Sequence, residues 1–343
     1  MIYPWQTDDW QRLQQLRAHW PHALLLHGEA GIGKLRFAQH LAQGLLCETP
    51  AANGEPCGAC PACLWFSQGN HPDYRAVLPE ALAGLAAGNG DAAEASADKA
   101  DGDEGKKTRT PSKEIKIEQV RALLDFCGVG SHRGGMRVVV LYPAEALNVA
   151  AANALLKTLE EPPGDVRFVL ATEAAHQLLP TIRSRCLGHT MSWPKPTEAA
   201  EWLSQQGVGP VDVQVLLRAA GGRPEDALSY SRAGVDAKHW AALPRAVSRG
   251  DAVAFADWSP ARVVDGLLKL CHDLMAVRAG ASPRFFAAAD LPQPPSFDAL
   301  ATWSRDLART FRTVEHPYNA GLLLEALVSQ GHRALHSGQE IRR

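Results

Sequence analysis

Four residues near the N-terminus have the types and spacing to hold phosphate. Gly28, Gly31, Gly33 and Lys34 read G-x-x-G-x-G-K inside residues 23–35, ALLLHGEAGIGKL. Glycines let backbone N–H groups point at phosphate oxygens, and the N-terminus of a following helix favours negative charge. Lys34 would reach the outer phosphates. The next position should carry the Ser or Thr hydroxyl that ligates Mg²⁺. It is Leu35, which cannot ligate a metal. Nucleotide is therefore expected to bind weakly or not at all, and its hydrolysis is not expected. A glycine-rich turn without a ligand is the alternative.

A second cluster has metal-binding spacing. Cys47, Cys57, Cys60 and Cys63 follow C-x9-C-x2-C-x2-C. Four thiolates this close in sequence can surround one tetrahedral Zn²⁺, and with all four positions filled the site is closed and structural. Gly58 and Pro61 suit the tight turns between them. His71 could replace one sulfur, but it fits better in the turn His71-Pro72-Asp73. Reactive or merely buried cysteines are the alternative.

The elements that must position these residues follow from periodicity. Residues 23–26 form an apolar run suited to a strand buried on both faces of a parallel sheet. Residues 36–46 continue as a helix, with Phe37, Leu41 and Leu45 at four-residue steps. Residues 136–141 (MRVVVL) and 167–172 (RFVLAT) are further buried strands. Between them, residues 148–161 make a helix with Ala151, Leu155 and Leu159 on one face. Nucleotide hydrolases place acids at the end of the strand that 136–141 represents. Tyr142 and Pro143 stand there, and Glu145 comes too late. Tyr3, Pro4 and Trp5 precede a helix at about 8–17, and these aromatics are expected to be core more than an adenine platform. Residues 81–113, rich in Ala, Gly, Asp and Lys, cannot bury enough surface to offset chain entropy and are expected to be a mobile loop.

The chain has 343 residues, 46% hydrophobic and 21% charged, with a formal net charge of -2. No overall basic field favours bulk nucleic-acid binding. No apolar run approaches the ~18 residues of a membrane span, and residues 1–10 lack the regions of a signal peptide. A soluble cytoplasmic protein is expected. Seven cysteines fit a reducing compartment, with thiols or metal rather than disulfides.

Residues 153–163 (NALLKTLEEPP), followed by Ser184-Arg185-Cys186, resemble the clamp-loader branch of the AAA+ ATPases. The cysteine cluster after the first helix, residues 70–74 (NHPDY) and Pro79-Glu80 are similar to bacterial members of this branch. The resemblance implies an α/β AAA+ (P-loop) domain with a parallel sheet and a zinc-module insertion, then a small helical lid and an all-α collar. The expected boundaries are 1–192 (zinc module 47–63), 193–236 and 237–343. It implies membership of a five-subunit ring that uses ATP to place a sliding clamp on primed DNA. Arg185 would be an arginine finger reaching a neighbour's ATP site, with Ser184 and Cys186 positioning it. An Arg in the lid that touches nucleotide is expected of hydrolysing members, and here that position falls on Glu225, with Arg223 nearby. Two rivals stay open: an ATP-hydrolysing motor subunit of the same family, and a nucleic-acid binder acting through its zinc module.

Overall fold

The computed structural model describes residues 1–85, 111–132, 134–314 and 319–337. The chain divides into two compact units, Met1–Lys195 and Pro196–Arg343. In the first, the chain runs through α1 (Thr7–Gln14), β1 (Ala23–His27), α2 (Lys34–Leu46), α3 (Pro61–Ser67) and β2 (Tyr74–Val77). It continues through α4 (Ile117–Gly128), β3 (Arg137–Leu141), α5 (Val149–Glu160), β4 (Val166–Thr172), α6 (Pro180–Arg183) and β5 (Leu187–Thr190). The strands form one five-stranded sheet in the order β2-β3-β4-β1-β5, and every pairing is parallel. The parallel α/β sheet expected from the sequence is therefore present.

A parallel sheet must be covered on both faces, because its crossover helices lie on the faces. Alternate residues of each central strand accordingly enter different cores. Leu25, Val139, Leu141, Phe168 and Leu170 pack with α4 and α5, through Val120, Leu123, Leu155 and Leu159. Leu24, Leu26, Val138, Val140 and Val169 pack on the other face with Trp10, Phe37 and Leu41 of α1 and α2. Asn148 caps α5, its side chain accepting the Ala151 N–H.

Two strands were not evident from the sequence, and both are sheet edges. β2 reads Tyr-Arg-Ala-Val and β5 reads Leu-Gly-His-Thr, each only four residues long and mostly not buried. An edge strand has less surface to bury, so it carries no apolar run. The expected loop at 81–113 needs one correction: its first residues belong to a 3-10 helix, Glu80–Leu85. The Gln39 side chain holds that turn by donating to the Leu85 carbonyl at 2.6 Å, and Ser112 N–H donates to Glu80 at 3.0 Å. Residues 86–110 of that loop lie outside the described residues.

The described residues of the second unit contain helices and no strands. They are α7 (Pro196–Gln205), α8 (Pro210–Ala219), α9 (Pro224–Arg232), α10 (Ala237–Arg249), α11 (Pro260–Arg278), α12 (Phe297–Thr313) and α13 (Ala320–His336). Proline opens α7, α8 and α9, where its missing N–H costs nothing. Asp236, Ser259, Ser296 and Asn319 cap α10 to α13. Among the described residues, no helix is long and apolar enough to cross a membrane.

The segment joining α11 to α12 lacks regular structure over most of its length, yet it is pinned. The Asp273 carboxylate, fully buried on α11, accepts backbone N–H bonds from Arg284, Phe285 and Phe286 at 2.9, 2.7 and 2.8 Å. Phe286 is thereby stacked on Trp240, centroids 4.8 Å apart. Replacing Asp273 with Ala leaves three backbone N–H donors without this acceptor, that of Phe286 buried, each bond to a carboxylate being worth roughly 1.5–3 kcal/mol. Asp273→Ala is expected to lower stability by at least about 3 kcal/mol, measured by guanidinium unfolding followed by tryptophan fluorescence.

Candidate functional site

Parallel strands place all their C-terminal ends on one edge, where ligands of α/β sheets bind. The glycine-rich turn leaves that edge from β1. Gly31 and Gly33 adopt positive φ, 70° and 86°. Gly33 is also the N-cap of α2, and a Cβ there would lie 2.2 Å from the Tyr3 ring. Glycine is thus required for both conformation and space. Tyr3 stacks on Trp5 with centroids 4.6 Å apart, and both are buried. These aromatics are core, as expected. Trp5 Nε1 and Gln6 Nε2 donate to the Ile32 carbonyl at 3.0 and 2.9 Å, and Gln6 also to Gly33 O at 3.1 Å. These bonds hold the loop's carbonyls on the side of the N-terminal segment. The first N–H groups of α2, which have no intrahelical partner, complete the anion-favouring end of the helix.

Lys34 is 2% exposed. Its Nζ donates to Glu29 O and lies 3.7 Å from Glu173 Oε1. Leu35 packs against the apolar cluster of Trp10, Phe37 and Leu41, so its side chain supplies packing where a metal ligand would sit. Tyr142 donates its hydroxyl to the same Glu173 oxygen at 2.7 Å. Glu145 lies in a 3-10 turn and accepts the Glu173 backbone N–H at 2.8 Å. The acid beside Lys34 is therefore Glu173, which sequence reasoning missed. It follows Thr172, the last residue of β4, and comes beside Lys34 because β4 pairs with β1, a neighbour relation that the sequence does not carry.

Arg185 lies at the other edge of the sheet. One residue, Cys186, separates it from β5, whose first paired residue, Leu187, sits beside Leu24 near the start of β1. Thr190, at the far end, sits beside His27, where the phosphate turn begins. At about 3.3 Å per residue, the strand alone puts roughly 10 Å between those ends. Arg185 Nη2 and Nε approach Glu160 Oε2 at 3.0 and 3.3 Å, and Nη1 donates to Thr181 O at 3.0 Å. Ser184 Oγ donates to the same Thr181 carbonyl at 3.1 Å. Cys186 packs against the core, and burial pushes its thiol up to about 11. Arg183, outside the motif, is exposed. In the second unit, Arg223 is the N-cap residue of α9 and its Nε donates to Asp226.

The four cysteines come together. Their sulfurs all lie within 4.8 Å of one another, with Cys47 to Cys60 at 3.8 Å and Cys57 to Cys63 at 4.0 Å. A tetrahedral thiolate site with metal–sulfur bonds of ~2.3 Å has edges of about 3.8 Å, so the set fits one metal ion. Backbone N–H groups of Cys57, Cys60 and Cys63 donate to the sulfurs of Cys47, Cys57 and Cys60 at 3.3, 3.3 and 3.4 Å. Such donors favour thiolate, the form that binds metal. A side-chain bond from Thr49, with the N–H groups of Ala59 and Cys60, holds the exposed Cys57 thiol down at about 6. Cys60 is also lowered: burial raises it, but the N–H groups of Cys63 and Glu48 prevail. Burial pushes Cys47 and Cys63 upward, which is the cost a bound cation would offset. His71 lies outside the cluster, its Nδ1 accepting the Asp73 N–H at 3.1 Å.

The family model described as DNA polymerase III, delta subunit, matches residues 5–193. The DNA polymerase III subunit delta' of Pseudomonas aeruginosa is 36% identical over 310 residues, covering 90% of this chain and 77% of that protein. The subunit delta' of Escherichia coli is 34% identical over 232 residues, 66% of this chain and 60% of that one. The subunit tau of Salmonella typhimurium is 34% identical over 216 residues, 61% and 28% of the two chains. A solved DNA polymerase III gamma subunit-related protein from Thermotoga maritima has a TM-score of 0.48 at 14% identity, covering 95% of this chain and 99% of that one. With the family model spanning more than half of the sequence and the Pseudomonas protein matched over most of its length, the chain belongs to the DNA polymerase III delta' subunit family.

Proposed function

We propose that this chain is the stator of a bacterial clamp loader, an AAA+ subunit that does not hydrolyse ATP. It assembles with the gamma/tau and delta subunits into a hetero-pentameric ring, and supplies Arg185 in trans to the ATP site of a neighbour. The ring places the sliding clamp on primed DNA during replication. The chain is thus a component of the DNA polymerase III holoenzyme, with no nucleotidyltransferase activity of its own, and works in the cytoplasm. Residues 193–236 act as a lid, and 237–343 join the collar of the ring. The delta' names of the relatives support this reading.

One observation carries it: Arg185 and the chain's own phosphate turn leave opposite edges of one parallel sheet. An arginine so placed is remote from its own loop and available to another subunit's. A guanidinium there would stabilise the charge spread over the transferring phosphoryl group. The chain's own loop lacks the metal-ligating hydroxyl at Leu35, and Tyr142 stands at the β3 end in place of an acid. ATP binding at Gly28, Gly31, Gly33 and Lys34 is weak or absent on this reading.

The metal of the cysteine cluster is zinc. Four sulfur ligands suit it, and a closed set makes it structural. Bound there, it would tie the segment after α2 to α3 and leave no open position for chemistry.

Two outcomes test this. Arg185→Ala is expected to assemble normally, while ATP turnover of the reconstituted complex falls by the contribution of the site it serves, since a finger is worth about 10³–10⁵ in kcat. Unchanged turnover in the assembled complex contradicts the finger. Elemental analysis of protein purified without added zinc should find about one zinc per chain, the stoichiometry of a single tetrahedral site. That metal should be lost in Cys60→Ser, and a metal-free, folded wild-type protein contradicts the assignment.

A further inference from the structure

The geometry points to Glu160 as the positioning residue of the arginine finger, setting the direction in which Arg185 faces a neighbour's phosphate. This rests on the reading of Arg185 as a finger, and it adds a residue that the reading does not contain.

Glu160 is the last residue of α5, and Glu161 follows it as the C-cap. Two carboxylates at a helix C-terminus oppose the helix dipole, which favours cations there. A local rule broken in this way marks a functional or compensated position. The compensation on the page is Arg185, whose Nε and Nη2 both approach Glu160 Oε2. Stability does not explain the pair. The Glu160 side chain is 58% exposed and that of Arg185 is 30% exposed, and a contact so open to water contributes little to folding.

What the contact does is restrict a long side chain. A free arginine samples many rotamers, and ordering one costs side-chain entropy. Here Glu160 takes the Nε–Nη2 side of the guanidinium, and the Thr181 carbonyl takes one N–H of Nη1. Three of its five N–H donors are therefore engaged, which leaves two, one on each terminal nitrogen. Those two are donors a phosphate oxygen could accept. Thr181 belongs to α6, two residues before its end, so the guanidinium is oriented by two separate elements, α5 and α6. Neither contact comes from the phosphate edge of the sheet.

The test uses the reconstituted complex of this chain with its tau and delta partners, sliding clamp and primed DNA, and follows ATP turnover. Four forms are compared: Glu160→Ala, Glu160→Gln, Arg185→Ala and the double variant. Glu160→Ala is expected to lose roughly half or more of the kcat that Arg185→Ala loses, with KM for ATP within about twofold of wild type, because misorientation lowers kcat more than binding. Glu160→Gln keeps an oxygen acceptor and should restore most of that kcat. The double variant should be no slower than Arg185→Ala, since Glu160 acts only through Arg185. Melting temperature and assembly by gel filtration should match wild type in every form. If Glu160→Ala keeps wild-type kcat, or exceeds it, while Arg185→Ala is slow, the positioning role is overturned and the finger stands. If Arg185→Ala is itself unimpaired, the finger and the positioning role both fall.

Discussion

The parallel pairing of the five strands is the constraint on which the rest depends. It forces each strand to leave the sheet at one edge and re-enter at the other, through a crossover. The glycine-rich turn after β1 and the ends of β3 and β4 therefore gather at one edge, while the segment before β5 and the end of α5 gather at the other. The glycine-rich turn and Arg185 are thus carried by one sheet yet lie at opposite ends of its strands. On the proposed function they serve different sites, each completed by another chain.

The edge that carries the glycine turn has the backbone form of a phosphate-binding turn without the Ser or Thr hydroxyl that would ligate a metal. Trp5 and Gln6 hold the loop's carbonyls aside, and Gly33 keeps its positive φ under the Tyr3 ring. These features are also packing: Tyr3 and Trp5 belong to the buried core. Leu35 and Tyr142 show the same economy. One is absorbed by the apolar cluster around Phe37, the other bonds Glu173, the residue whose carboxylate lies beside Lys34.

Much of this was legible in the sequence, and the rest was hidden for physical reasons. The central strands announced themselves as apolar runs because both faces of the sheet are covered. β2 and β5 did not, being edges with polar residues such as Arg75 and His189. The four cysteines could be grouped by spacing, since each step is a local turn. Glu173 and Glu160 could not be singled out, because their partners Lys34 and Arg185 are distant in sequence and joined only by the sheet's topology. No local pattern in the irregular segment before α12 signals its anchorage, which lies in one buried carboxylate on another helix, Asp273.

On the proposed function this chain serves a neighbour's ATP site and does not run its own. The most direct measurement is Mg²⁺-dependent ATP hydrolysis by the purified chain alone, its fold verified by circular dichroism. No turnover above the uncatalysed background is expected. Clear turnover that disappears in Lys34→Ala would contradict it, and would make this chain a motor rather than a stator.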